Sequence, residues 1–169
     1  MRYFFIDQPA APGESVSIQG SDARHIQTVL RYKPGDRIGL LDGSGVEYEA
    51  KVDRLSPKGV DLTIIKTFSS ETESPVQISV AQALLKEKKM DSIVRHLTEL
   101  GISRWVPFRA VRSIPRPNPK NMAARIRRWE IISKEASKQC RRSRLVQIDT
   151  LKTFGDVLVE SKVHELKLL

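Results

Sequence analysis

Glu135, Gln139 and Arg142 are separated by four and three positions. Seven residues make about two helical turns, so a helix that continues through Arg142 presents a carboxylate, an amide and a guanidinium on one face. Arg128 lies seven residues before Glu135 and extends the row, and Arg141 and Arg144 crowd its far end. Arginines on neighbouring turns suit phosphate, because a planar guanidinium can bond two oxygens. The same cations would also complement the macrodipole at a helix C-terminus, a role that needs no ligand. That role leaves out the "RSIPR" loop with Arg112 and Arg116, and the run Arg125, Arg127, Arg128. Further candidates for anion contact are Lys86 and Lys88, close to a helix N-terminus whose backbone N–H groups favour negative charge. Arg24 and Arg31, seven apart on a shorter helix, and Lys33 complete the set. Glu99 and Lys89 read as exposed surface, His25 as a partly buried polar residue and Cys140 as packing.

The charge distribution supports an anionic partner. The chain has 169 residues and a formal net charge of +9. Residues 1–75 carry nine Lys/Arg and eleven Asp/Glu, whereas residues 104–144 carry thirteen basic and two acidic side chains. A field concentrated in one window points to nucleic acid ahead of an acidic membrane surface, a small anion or a merely solubilising face. One cysteine and three scattered histidines offer neither a disulfide nor a structural metal site. No signal peptide or membrane-length apolar run is evident, which predicts a cytoplasmic protein. Phosphate-binding glycine loops, dinucleotide fingerprints and the G-x-S-x-G nucleophile elbow are absent.

Two regions must position these residues. "FSSETESP" (68–75) is polar, acidic and ends in proline, and the charge changes sign there. The division predicts a domain over 1–70, a linker over 71–75 and a second domain over 76–169. In the first, "RYFFI", "ESVSIQ", "RIGLL", "VEYEAKVDRL" and "VDLTIIK" read as strands, separated by turns at "PAAPG", "KPGD", "DGSG" and "SPKG". "SDARHIQTVL" reads as a helix capped by Ser21, with Ile26, Val29 and Leu30 on one face. Five short strands and one helix suggest a small barrel. In the second, "VQISVAQAL" suits a buried parallel strand. "KEKKMDSIVRHLTELG" is a helix with Met90, Ile93, Val94, Leu97 and Leu100 on one side and Gly101 as its stop. With "RWVPF" they form a βαβ unit. A long helix then runs from near Asn121 to about Cys140, with Met122, Ile126, Trp129, Ile132 and Ala136 inward. "LVQID" and "ELKLL" read as further strands. A parallel strand usually feeds a ligand-bearing loop at its carboxyl end, so the chain is expected to be incomplete after "ELKLL". The fold class is α/β with an all-β N-terminal domain.

Four segments, in order, resemble the bacterial 16S ribosomal RNA (uracil-N3) methyltransferases of the RsmE family. They are "RHIQTVLRYKPGDRIGLLDGSG", "KEKKMDSIVRHLTELGISRWVPF", "RSIPR" and "RWEIISKEASKQCRRSRLVQI". The resemblance implies a PUA-like β-barrel followed by a SPOUT-class, Rossmann-like α/β domain, knotted in the full family. It implies S-adenosyl-L-methionine as methyl donor, a uridine of 16S ribosomal RNA in the small ribosomal subunit as acceptor, and a homodimer. Two departures stand out. The glycine-rich C-terminal segments that hold the donor in the family are absent, so the donor pocket is expected beyond residue 169 and this chain is expected to be inactive alone. Arg141 stands where the family often has glycine. In such an enzyme Glu135 would take the N3 proton or position the base, Gln139 would bond a base edge, and Arg142 would stabilise negative charge on the uracil oxygens. A non-catalytic RNA-binding module is the alternative, and a dimerisation scaffold with a basic face is a third reading.

Overall fold

The computed structural model describes residues 1–70, 73–113 and 115–168, together with the backbone but not the side chain of Glu87. It divides into two compact units: Met1–Glu73 with Lys138–Arg144, and Ser74–Ser137 with Leu145–Leu169. The first two residues of the expected linker, Glu71 and Thr72, lie outside the described residues, as does Ile114 of the arginine loop. The segment 138–144, placed by sequence in the second domain, belongs to the first unit.

The first unit contains β1 (Tyr3–Phe5), β2 (Ser15–Ile18), α1 (Gly20–Arg24), β3 (Arg37–Leu41), β4 (Val46–Ser56) and β5 (Gly59–Ser69). They form one sheet in the order β1-β3-β4-β5-β2, antiparallel except for β1 beside β3. Alternate side chains from all five strands enter a single core. Phe4 and Ile18 of the two outermost strands meet Ile38, Leu40, Ala50, Val52, Val60, Leu62 and Ile64 there. That shared interior is what a barrel-like arrangement requires. The glycines of the "KPGD" and "DGSG" turns, Gly35, Gly43 and Gly45, all have positive φ, a region that residues with a Cβ disfavour.

The short helix departs from expectation. Its N-cap is Gln19, with no side-chain cap bond, and Ser21 lies inside α1. Residues His25–Val29 continue as a π-helix, marked by the Leu30 N–H donating to the His25 carbonyl. The wider turn rotates the face: Ile26 is fully buried and Leu30 packs on the core, but Val29 is exposed. His25 is also exposed, and its ring centroid lies 6.2 Å from that of Phe4.

The second unit contains β6 (Ser79–Ala83), α2 (Glu87–Glu99), β7 (Arg104–Arg109), α3 (Pro119–Cys140), β8 (Gln147–Ile148), β9 (Lys152–Thr153) and α4 (Phe154–Glu160). The last three residues of α3 belong to the first unit. Strands β6, β8 and β9 all pair in parallel with β7. β6, α2 and β7 are thus the expected βαβ unit. β6 is an edge strand and only half-buried, rather than the fully buried strand its apolar run suggested. Gly101 ends α2 with φ of 94°; Leu100 falls past the helix and is exposed. α3 begins two residues earlier than expected. Asn118 Oδ1 accepts the Asn121 N–H at 2.8 Å, and Pro119 occupies the first helical position, where its missing N–H costs nothing. Trp105 and Trp129 meet edge to face, 4.8 Å between centroids, among Leu84, Met90, Val94, Met122 and Val146.

The C-terminal reading needs correction. Among the described residues no ladder pairs Glu165–Leu168, Leu166 and Leu168 are exposed, and Leu169 lies outside the described residues. Order there comes instead from α4, whose Thr153 accepts from the Asp156 N–H while the Asp156 carboxylate accepts from Thr153 N–H. The sequence signal for this reciprocal capping box is "TFGD", a threonine three residues before an acid. Among the described residues no helix is long and apolar enough to cross a membrane.

Candidate nucleic-acid interface

Glu135, Gln139 and Arg142 do not form one helical row. α3 stops at Cys140, and Arg141 takes φ of 59°, the left-handed conformation that terminates helices. Glu135 and Gln139 remain one turn apart on the exposed side of α3. Arg142 leaves that face and is 7% exposed. Its Nη2 donates to Glu73 Oε2 at 3.1 Å, while Glu73 Oε1 accepts the Arg144 N–H at 2.9 Å. Burial pushes the Glu73 carboxyl up. The bond from the Arg144 backbone, the bond and charge of Arg142, and the bond from the Ser143 backbone outweigh it and hold the group below its ordinary value. Glu73 was read as linker polarity; it is the acid that holds the end of the helix segment to the sheet. Nothing in the local sequence marked it, because its partners lie about seventy residues away.

Other cations of the first unit fall into two groups. Lys138 is tied to both carboxylate oxygens of Asp22 at 2.9 Å. Arg141 lies over the Tyr3 ring, 4.7 Å from its centroid, donates to Tyr3 Oη at 2.7 Å and stands 3.7 Å from Glu47. Arg24, Arg31, Lys33 and Arg144 are exposed. Among the described residues none of these four guanidinium or ammonium groups makes an ion pair. Arg24 and Arg31 do not share a helix face. α1 ends at Arg24, and Arg31 follows the π-helix with φ of 54°.

In the second unit, Lys86 is the exposed N-cap residue of α2 and Lys88 is exposed in its first turn. Arg112 and Arg116 are exposed on the loop before α3. Arg128 donates to Asp91 of α2 at 2.6 Å, and Arg125 is half-buried. Arg104, not singled out from sequence, bonds Asp149 and Glu160, and Lys152 bonds both acids as well. This four-charge cluster joins β7 to β9 and α4. Burial raises the Asp149 carboxyl, but the bonds from Arg104 and Lys152 outweigh it and lower it overall.

Two units of these kinds, a β-sheet unit with exposed arginines and a parallel α/β unit, define the class. An RNA methyltransferase PUA domain matches residues 18–65 and an RNA methyltransferase domain matches residues 72–169. The chain belongs to the RNA methyltransferase family. It is 29% identical over 161 residues to ribosomal RNA small subunit methyltransferase E of Bacillus subtilis, covering 94% of this chain and 63% of that protein. The chain therefore spans less than two thirds of that relative's length. Among solved structures, ribosomal RNA small subunit methyltransferase E from Neisseria gonorrhoeae bound to S-adenosyl methionine superposes with a TM-score of 0.85 at 26% identity, covering 94% of this chain and 65% of that one. A methyltransferase from Legionella pneumophila in complex with the cofactor SAM gives 0.87 at 25% identity, covering 98% and 68%. The fold is accordingly a PUA-like unit with a SPOUT-type α/β unit.

Proposed function

We propose that the protein takes part in methylation of N3 of a uridine in 16S ribosomal RNA of the small subunit, with S-adenosyl-L-methionine as donor, in the cytoplasm and as a homodimer. The observation that carries this reading is that both units match RNA methyltransferase domains in the same chain. That donor is not fitted by the charged cluster that joins β7, β9 and α4. The best-formed polar cluster of the α/β unit, Arg104, Asp149, Lys152 and Glu160, is closed on itself by ion pairs. It offers no set of groups to an adenosyl or methionine moiety.

The chain's own contribution is the hold on RNA. Arg24, Arg31, Lys33 and Arg144 of the first unit contact phosphates, as do Lys86, Lys88, Arg112 and Arg116 of the second, whereas Arg141 is engaged with Tyr3 and Glu47 and adds little. Arg125 and Arg128 carry a smaller share, because one is half-buried and the other engaged to Asp91. On α3, the Glu135 carboxylate accepts the N3 hydrogen and Gln139 bonds the uracil edge. Arg142 supports this surface from beneath, through Glu73. Uracil N3 lies on the pairing edge, so the target is an unpaired uridine.

Small ribosomal subunits incubated with the chain and methyl-labelled donor, then read by reverse transcription, test the proposal. A methyl on N3 blocks pairing and stops the transcriptase. The engaged state of the polar cluster favours one second reading, RNA binding without transfer. Retained RNA binding, with no label in the RNA and no calorimetric signal for the donor, would select it.

A further inference from the structure

The helical stretch that begins with α1 ends on an arginine. The Leu30 N–H donates to the His25 carbonyl, which makes His25–Val29 a π-turn. Across Arg31, the Tyr32 N–H then donates to the Ile26 carbonyl at 3.1 Å. Such a closure needs a left-handed residue, most often glycine, and Arg31 supplies it with φ of 54°. A residue with a Cβ holds that conformation at a cost. The Arg31 side chain is exposed and makes no hydrogen bond, ion pair or ring contact among the described residues. The same is true of the Arg24 guanidinium and the Lys33 ammonium. The acid nearest in sequence to Arg31 and Lys33, Asp36, accepts the backbone N–H of Lys33 at 2.7 Å and pairs with none of the three cations. Asp22, nearest to Arg24, is held by Lys138. The turn itself is pinned. Ile26 is fully buried, and the Gln27 amide donates to the carbonyls of Ser56 at 3.0 Å and Gly59 at 3.4 Å in the β4–β5 hairpin. Both rings of the turn are engaged with the core: Tyr32 packs on it, and His25 lies 6.2 Å from the Phe4 ring.

We infer that residues 24–33 hold the sugar–phosphate backbone of a base-paired RNA stem beside the unpaired uridine, with Arg24, Arg31 and Lys33 on its phosphates. This rests on the RNA-binding reading above and names the part of the RNA that the turn takes. Duplex RNA is recognised by shape, through phosphates and 2′-hydroxyls, whereas unpaired bases are taken on aromatic rings. The turn sets out cations while its rings serve the core, so it suits the duplex. A pinned turn also loses little freedom when it meets a regular backbone.

The test uses the full chain with two fluorescein-labelled probes, a blunt RNA duplex and an unstructured uridine oligonucleotide with the same number of phosphates. Arg31→Gly removes the cation and keeps the left-handed backbone. Duplex affinity should fall about threefold or more and the slope of log affinity against log salt should drop by about one, with oligouridine affinity changed less than about twofold. The thermal midpoint should equal or exceed that of wild type, because glycine takes φ of 54° freely. Lys33→Gln leaves the helix end untouched and should repeat the loss on the duplex. Arg37→Gln removes a guanidinium already paired with Glu49 and should bind both probes as wild type does. A lowered midpoint in Arg31→Gly with duplex binding intact would make Arg31 a helix-end residue only and overturn the proposal. Equal losses on both probes, or binding of the oligouridine alone, would overturn the stem and leave RNA binding standing. Failure of the wild-type chain to bind either probe would overturn the RNA reading and the stem together.

Discussion

Glu73→Ala should be among the most damaging single changes to the first unit. The Glu73 and Arg142 side chains are only 10% and 9% exposed, and the carboxylate also accepts the Arg144 N–H. Removing one partner of a buried pair costs roughly 3–5 kcal/mol, chiefly because the other charge stays desolvated. Both groups keep a little contact with water, so the low end, about 3 kcal/mol, is expected. All three tyrosines, Tyr3, Tyr32 and Tyr48, lie in the first unit, and both tryptophans in the second. Urea unfolding followed by tyrosine near-ultraviolet circular dichroism therefore reports on the damaged unit, and tryptophan fluorescence on the other. The tyrosine transition should move to lower urea, and the double variant Glu73→Ala/Arg142→Ala should be less destabilised than the sum of the two single changes. Acid provides an independent check. The folded carboxyl lies below its ordinary value of 4.5. Its contribution is present above about pH 4.5 and is lost as pH falls through the folded value. The gap between wild type and Glu73→Ala should close in that window. A Glu73→Ala midpoint equal to wild type at neutral pH, or additive single changes, would refute the buried-pair reasoning.

Gly59→Ala should lower stability by about 1–3 kcal/mol in the same urea assay, because its Cβ would lie 2.5 Å from the Ile18 carbonyl oxygen, and backbone cannot swing aside. Thr153→Ala removes one half of the α4 capping box and should cost about 1 kcal/mol, seen as faster hydrogen exchange of the α4 amides with β7 unchanged. Asp149→Asn should destabilise the second unit by about 3 kcal/mol, read by tryptophan fluorescence. The lowered Asp149 carboxyl is stabilising above its ordinary value of 3.8, so the difference from wild type should fade as pH drops below that value.

The strands of the first unit were legible because each is short, alternates apolar and polar residues, and is bounded by turn chemistry that acts over four residues. The βαβ unit and α3 were legible for the same reason: Met90, Val94, Met122, Trp129 and Ala136 recur at helical spacing and are buried. Failures came where one residue changes the phase. The π-turn at His25–Val29 exposes Val29, and the left-handed Arg141 diverts Arg142 from the face that Glu135 and Gln139 keep. Periodicity assumes an unbroken helix, and it carries no mark of where a helix stops unless a glycine or proline does so. At 141 the stop is made by an arginine.

The window 104–144 holds more cations than the fold leaves to a partner. It is strongly positive because the acids that neutralise it are drawn from elsewhere in the sequence. Asp22, Glu47 and Glu73 come to Lys138, Arg141 and Arg142 in the first unit. Asp91, Asp149 and Glu160 come to Arg128 and Arg104 in the second. A windowed charge count measures only what is local along the chain, whereas ion pairing is settled by contacts between distant segments. The cations left to act on an anionic partner are therefore fewer than the window implies, and they are spread over both units: Arg24, Arg31, Lys33 and Arg144 on one, Lys86, Lys88, Arg112 and Arg116 on the other. The salt dependence of RNA affinity counts phosphates actually neutralised. It should follow this smaller set, so that Arg144→Ala and Arg112→Ala reduce the slope of log affinity against log salt while Arg128→Ala scarcely alters it. A slope that fell as much for Arg128→Ala as for Arg144→Ala would mean that the pair with Asp91 opens on RNA, and that the acids compete with phosphate instead of removing these cations from the interface.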